Sequence, residues 1–315
     1  MPPPLVIVTE QLSDDALEWL AESCEVVRAR PDEDAFVAAA ARAEGLVVRT
    51  YTVVDDAMLS RLPRLRVVGR GGVGLDNIDL DACAARGVVV VSTPDANTQA
   101  VVEYVTCLLC DALRPRAPLD RPVPKDEWDR LRDDDLVALW QMNELTLGIL
   151  GLGRIGKRVA QVARAIGFEV IFNDLLGIPD DERHGAEPVD LDSLFRSSDV
   201  LTIHVDGRPS NRRFVNERLV DLLKPDAVLI NTSRGMVIDH DALAAWLRAN
   251  AGATALLDVH DPEPVREDNP LLGLDNAHLF PHLASRTLTA MDNMSWVVKD
   301  VVAVLQGRAP KWPAR

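Results

Sequence analysis

Apolar residues along this chain fall into short runs broken by polar and glycine-rich stretches, with helical periodicity between the runs. Leu5 to Val8, Gly45 to Arg49, Arg66 to Gly69 and Val88 to Val91 are rich in β-branched residues. They are too short for helices, which predicts buried parallel strands. Glu25 to Arg28 reads as a further strand. Helices are expected between them: one with Ser13 as N-cap and Asp14 and Asp15 in its first turn, then Asp34 to Ala43, Val53 to Leu62, and one opening at Leu80. The first hundred residues therefore form a doubly wound α/β domain of their own.

A helix from Asn97 to about Leu113 follows. Arg114 to Pro124 then carries four prolines, which forbid a regular element there. The alternation resumes at Thr146 to Leu150, and Ile155, Val159, Val162, Ala163 and Ile166 share one face of the next helix. Further strands are predicted at Glu169 to Asn173, Val200 to His204, Ala227 to Asn231, Ala255 to Val259 and His278 to Phe280. A helix is expected at Asp239 to Asn250. A terminal amphipathic helix, Met291 to Leu305, is expected to pack back on the first domain.

The first chemistry lies where the strand Thr146 to Leu150 runs into Gly151-Leu-Gly153-Arg154-Ile155-Gly156. In a strand–turn–helix setting each glycine has a reason. Gly151 makes the tight turn, Gly153 lets backbone approach a pyrophosphate, and Gly156 lets helix pack close to strand. The helix N-terminus then holds phosphates through its free N–H groups. Asp174 ends the next strand about twenty residues on, where an acceptor for a ribose 2′-hydroxyl is expected. This is read as a dinucleotide site, and Asp174 predicts NAD over NADP.

A second glycine-rich stretch, Arg70-Gly-Gly72-Val73-Gly74-Leu-Asp-Asn-Ile-Asp79, is either an anion-binding concavity of backbone N–H groups or a plain turn. The residues alone leave the two readings even. Net charge of −15 and a pI near 4.8 argue against nucleic acid and anionic membrane surfaces as partners. No run of eighteen apolar residues occurs and the opening residues lack leader character, so a cytoplasmic protein is expected. Cys107 and Cys110, spaced like a redox or zinc pair, are expected to be core residues of an apolar helix without metal.

Three strand-end segments complete the set: Asn231-Thr232-Ser233-Arg234-Gly235, Leu257-Asp258-Val-His-Asp-Pro-Glu263-Pro264 and Phe280-Pro-His282-Leu-Ala284. They offer a guanidinium, carboxylates and an imidazole where a doubly wound sheet meets its ligand crevice. Pattern alone does not choose between His278 and His282. With the two glycine motifs, these segments resemble the NAD-dependent D-isomer-specific 2-hydroxyacid dehydrogenases over nearly the whole chain.

That resemblance implies two Rossmann-like doubly wound domains: a discontinuous substrate domain of residues 1–98 and 287–315, and an NAD-binding domain of residues 99–286. It implies that Arg234 grips the substrate carboxylate, that His282 is the acid/base, and that Glu263 orients the imidazole and raises its pKa. It assigns the Gly72, Val73 and Gly74 backbone to the substrate carboxylate, and places Arg154 beside the pyrophosphate and Asp258 beside the nicotinamide amide. His204, Val205, Thr232, Ser233 and Ile155 fall on cofactor-facing segments, while catalysis by His204 is not expected. Arg49 matches a cleft-facing arginine, and Arg286 stands where small residues are common, so both are candidates for a second anionic group on the substrate.

The implied partners are NAD, a small 2-oxoacid or 2-hydroxyacid, and a second copy of the chain in a homodimer. One departure stands out: His204-Val-Asp206 replaces the usual His-x-Pro, adding negative charge at the adenine end. Two alternatives carry less weight. An NAD(H)-sensing corepressor of this fold usually has disordered extensions. A formate dehydrogenase of this fold pairs glutamine, not Glu263, with its histidine.

Overall fold

The structure, a computed structural model, describes residues 2–314, without the Asp135 side chain. The chain forms two compact units, one made of Met1–Thr98 with Ser285–Arg315 and the other of Gln99–Ala284.

The first unit holds a parallel sheet of β1 (Leu5–Val8), β2 (Glu25–Arg28), β3 (Ala43–Val48), β4 (Val67–Arg70) and β5 (Val89–Ser92). Their order is β2-β1-β3-β4-β5, so the winding reverses between β1 and β3. One face is covered by Phe36, Leu59 and their neighbours, the other by the last helix, whose Val298, Val301 and Val302 pack with Val6, Val47 and Val67. Each such fully buried side chain stabilises the unit by roughly 1.5–3 kcal/mol.

The terminal helix does lie on this sheet, but it is two helices, Leu288–Ser295 and Val298–Leu305. Ser295 explains the break. Its hydroxyl turns back on the Met291 carbonyl at 2.8 Å and accepts the Ser13 N–H at 2.9 Å, and such back-bonding bends helices. Ser13 occupies the N-cap position of the helix Asp14–Ala21 without making a side-chain cap bond. The helix expected to reach Ala43 stops at Ala40, because Ala43 already pairs with β1 as the start of β3. The Val53 to Leu62 segment is helical only over Asp56–Ser60.

The second unit holds seven parallel strands: β6 (Thr146–Leu150), β7 (Glu169–Asn173), β8 (Glu187–Pro188), β9 (Val200–Ile203), β10 (Val228–Asn231), β11 (Thr254–Leu257) and β12 (Ala277–Leu279). Their order is β12-β11-β10-β9-β6-β7-β8, so the switch point lies between β6 and β9. β8 is an edge strand that tolerates Pro188, which cannot donate to a ladder.

The cysteine expectation fails. The helix Thr98–Leu113 buries Val101, Val102, Val105, Leu108 and Leu109, and that phase turns Cys107 to the surface and leaves Cys110 half-buried. The run looked uniformly apolar, and its period was the deciding information. Among the described residues no cluster of ligating side chains suits a metal ion, and no helix is long and apolar enough to cross a membrane.

Candidate active site

The glycine motif begins where β6 ends. Gly151 has φ +94°, and a Cβ there would stand 2.8 Å from the His204 carbonyl oxygen. A Cβ on Gly156 would stand 2.2 Å from the Gly151 carbonyl oxygen, so the helix Arg154–Ile166 approaches the turn as closely as backbone allows. Around Gly153, the N-cap of that helix, nothing lies within 4 Å of where a Cβ would be. The helix N-terminus therefore opens on free space, as a phosphate requires. Exposed Arg154 and half-buried Ile155 follow directly.

Asp174 stands just past β7. Its carboxylate accepts the Leu152 N–H at 2.6 Å, inside the glycine loop, and the Leu176 N–H at 2.8 Å. The acid is thus fixed beside the loop whose phosphate-binding role it would complement. Thr232, past β10, has a buried hydroxyl with no partner among the described residues, while Ser233 donates to Asn231 Oδ1 at 2.8 Å. Open helix terminus, strand-end carboxylate and orphaned hydroxyl together fit a dinucleotide.

His204 hydrogen-bonds through Nε2 to Thr202 Oγ1 at 3.0 Å, and desolvation pushes its pKa down to about 3, so the ring is neutral. Val205 packs against the core beside Gly151. Asp206 is neutralised locally: Arg208 donates to it through Nε at 2.7 Å, and this bond above all lowers its pKa, with Arg234 adding a smaller effect.

The loops after β10, β11 and β12 carry the remaining site residues of this unit. Asn231, fully buried, organises the first: its oxygen accepts the Ser233 N–H at 3.0 Å and its amide donates to the Arg234 carbonyl at 3.0 Å. Arg234 is half-buried and its Nη1 donates to the Ser233 carbonyl at 2.7 Å. Gly235 is needed because a Cβ there would lie 2.0 Å from the His260 carbonyl carbon.

His282 Nδ1 meets Glu263 Oε2 at 2.8 Å, with Glu263 Oε1 accepting the His260 N–H at 3.0 Å. Burial pushes the Glu263 carboxyl up, but the bonds from His282 and the His260 N–H outweigh it, and the net position is below the usual carboxylate range. His282 has φ +55°, a left-handed backbone costing roughly 1–2 kcal/mol for a residue with a Cβ. Such strain persists where surroundings over-determine it, often at functional sites.

Asp258, which the resemblance implies lies beside the nicotinamide amide, is anchored by backbone groups. It is fully buried, and its two oxygens accept the Leu283 N–H at 2.7 Å and the Ala284 N–H at 2.8 Å. Those two bonds hold the chain just after His282. His278 lies on β12 and makes none of these contacts, while His282 does.

In the first unit, Gly72 is buried beneath its loop and Val73 and Gly74 are half-buried. Arg49 runs alongside, its Cγ 3.3 Å from where a Gly71 Cβ would be, its Nη1 donating to the Gln11 carbonyl at 3.2 Å. Burial lowers the Arg49 pKa, and the nearby Arg286 guanidinium lowers it further. Glu10 fixes the Arg49 loop by accepting the N–H groups of Arg49, Thr50, Tyr51 and Thr52 at 2.9–3.2 Å.

Asn231, His260 and Glu10 were missed in the sequence. Asn231, a polar residue ending an apolar strand run, carried a signal; Glu10 and His260 lie two and three residues past their strands and carried none.

The model for the D-isomer specific 2-hydroxyacid dehydrogenase, NAD binding domain, matches residues 106–284. The chain is 32% identical over 306 residues to a D-3-phosphoglycerate dehydrogenase from Archaeoglobus fulgidus, covering 96% of this chain but 57% of that protein. It thus spans little more than half of that relative. It is 35% identical over 316 residues to a glyoxylate reductase from Aeropyrum pernix, covering 98% of this chain and 94% of the relative. Among solved structures, an NADPH-dependent glyoxylate/hydroxypyruvate reductase from Sinorhizobium meliloti, in complex with NADP and malonate, is similar at TM-score 0.84 and 29% identity. The match covers 99% of this chain and 96% of that one.

Proposed function

The chain belongs to the D-isomer specific 2-hydroxyacid dehydrogenase family, and on that premise we propose that it interconverts a small 2-oxoacid and its D-2-hydroxyacid with NAD(H). The observation that carries the reading is the 2.8 Å contact of His282 Nδ1 with Glu263, on loops packed against the one that bears Arg234. With Nδ1 held by a carboxylate, His282 has Nε2 left to give a proton to the substrate oxygen on reduction and to take it back on oxidation. Arg234 offers a planar fork to the substrate carboxylate, which suits bidentate binding better than lysine.

The cofactor is held by the helix N-terminus at Gly153 to Gly156 for its phosphates and by Asp174 for a ribose hydroxyl, with Val205, Thr232 and Ser233 lining the site. When bound, NADH supplies a hydride to the carbonyl carbon. Asp174 disfavours a 2′-phosphate, so kcat/KM is expected to be higher with NADH than with NADPH; the reverse order removes Asp174 from this role.

Arg49 and Arg286 lie near one another in the first unit, and such a pair of cations suits an anionic group. A homodimer is proposed through the segment that leaves Leu119, Trp128, Leu139 and Trp140 exposed, since large apolar side chains gathered at a surface mark an interface. With four free cysteines, the cytoplasm is the proposed compartment. The deciding experiment is NADH oxidation against a panel of mono- and dianionic 2-oxoacids, with formate oxidation run in parallel. Activity on formate alone, or on no 2-oxoacid, overturns the reading.

A further inference from the structure

We propose that His260 is the positioning residue of this site, tying the segments that carry Arg234, Glu263 and His282 into one arrangement. The inference rests on the dehydrogenase reading and extends it to a residue outside the assigned set.

His260 is 7% exposed and touches all three segments. Its backbone N–H donates to Glu263 Oε1 at 3.0 Å, while the other oxygen of that carboxylate meets His282. Its ring Nε2 lies 2.8 Å from the Phe280 carbonyl oxygen. A carbonyl only accepts, so Nε2 carries the proton. The same carbonyl accepts the His282 N–H at 3.0 Å, two residues along the chain. Behind, the His260 backbone is in such close contact with Gly235 that no side chain fits between them. Backbone N–H, imidazole and backbone carbonyl thus reach three different loops from one residue.

A ring kept only to fill space is the competing explanation, and one atom speaks against it. His260 Nδ1 is buried with no partner among the described residues. A phenyl ring would keep the volume and remove the unmet acceptor, so packing alone favours phenylalanine here. What phenylalanine lacks is the N–H to Phe280. That bond holds the carbonyl from which His282 hangs in its left-handed backbone, and hence the angle at which Nδ1 meets Glu263. The other titratable groups around the ring are His240, Asp258, Asp261, Glu263 and His282.

The test compares His260→Phe, His260→Gln and His260→Asn in the full chain, with wild type and His282→Asn as references. Glutamine carries an N–H able to reach the Phe280 carbonyl, and the shorter asparagine does not. His260→Phe is expected to lower kcat for NADH-dependent 2-oxoacid reduction about ten-fold, with KM within about two-fold, since small misplacement of a reacting group is costly. The NMR titration midpoint of the His282 ring should move by about half a pH unit or more as its carboxylate partner loosens. His260→Gln should restore both, and His260→Asn should not. Unchanged kcat and midpoint in His260→Phe overturn the proposal, as does equal loss in all three variants. Should the phenylalanine variant fail to fold, the glutamine and asparagine variants decide, and equal behaviour of those two overturns it. If wild type reduces no 2-oxoacid, the dehydrogenase reading fails by itself, and the His282 titration still decides the role of His260.

Discussion

Asp258 and Glu263 leave the same strand end and hold neighbouring residues of one loop, yet they respond to it in opposite ways. Asp258 is fully buried and grips the Leu283 and Ala284 N–H groups; burial raises its pKa despite both bonds. Glu263 keeps 29% of its side chain exposed and meets the His282 ring; burial raises it too, but here the partners win and the pKa is lowered. The difference lies in what each carboxylate faces. At Asp258 two peptide dipoles and the more distant His282 and His260 rings do not offset the desolvation of a buried charge, whereas Glu263 is hydrogen-bonded directly to the His282 ring. One acid is anchorage and the other is electrostatics, and the pair can be taken apart.

The hardest break is His282→Asn. It removes the counter-charge from Glu263 while leaving both Asp258 bonds, which go to backbone. Turnover is expected to fall roughly 10²-fold or more, with NADH affinity within a few-fold, because the ring acts on the substrate oxygen. Stopped-flow traces with an unchanged hydride-transfer rate in this variant would refute the acid/base assignment.

Glu263→Gln sharpens the electrostatic side. The amide can still bond to the ring but no longer favours its charged form. For reduction, about ten-fold lower kcat is expected, together with an alkaline limb of the pH–rate profile moved to lower pH. An alkaline limb that stays in place means the carboxylate does not govern the ring.

Asp258→Asn probes anchorage. An amide accepts one backbone N–H and presents its own N–H to the other, leaving a buried donor unmet at roughly 1–3 kcal/mol. For a unit of this size that lowers Tm by about 2–12 °C, with only a few-fold effect on kcat. A loss of kcat as deep as that of His282→Asn, with Tm unchanged, would make Asp258 part of the chemistry and erase the contrast.

How much of this was legible beforehand follows from what each residue's neighbours in sequence reveal. Thr146–Leu150 and Glu169–Asn173 are strands over the residues expected, because buried parallel strands leave unbroken apolar runs that end sharply at glycine or acid. The winding of the first sheet, β2-β1-β3-β4-β5, was not legible, since strand order depends on which loops cross over. Glu263 and His282 were named through resemblance to a family, and their 2.8 Å contact supplies a physical reason for naming them together. Asp258 was named by resemblance alone, and its backbone partners could not be read beforehand because they lie on a distant segment that periodicity does not connect to it. Cys107 and Cys110 differ from expectation for a plainer reason: the helical phase of Val101, Val105 and Leu108 turns the buried face away from them.

The smallest expected effect separates the two carboxylates by the sign of their pH dependence. Glu263 has a folded pKa below its unfolded value near 4.3, so its contribution to stability is present above that value and lost as pH falls through the folded pKa. The stability gap between wild type and Glu263→Gln should therefore widen as pH rises through about 4. Asp258 has a folded pKa above its unfolded value near 3.9, so its contribution is fully present below that value and lost as pH rises through the folded pKa. The gap between wild type and Asp258→Asn should therefore narrow over the same rise, above a constant part set by the lost backbone bond. Urea denaturation of the three proteins between about pH 3 and pH 6 gives both gaps. Opposite slopes are the expected result. Parallel slopes would mean that the two acids share one environment, and that His282 does not distinguish them.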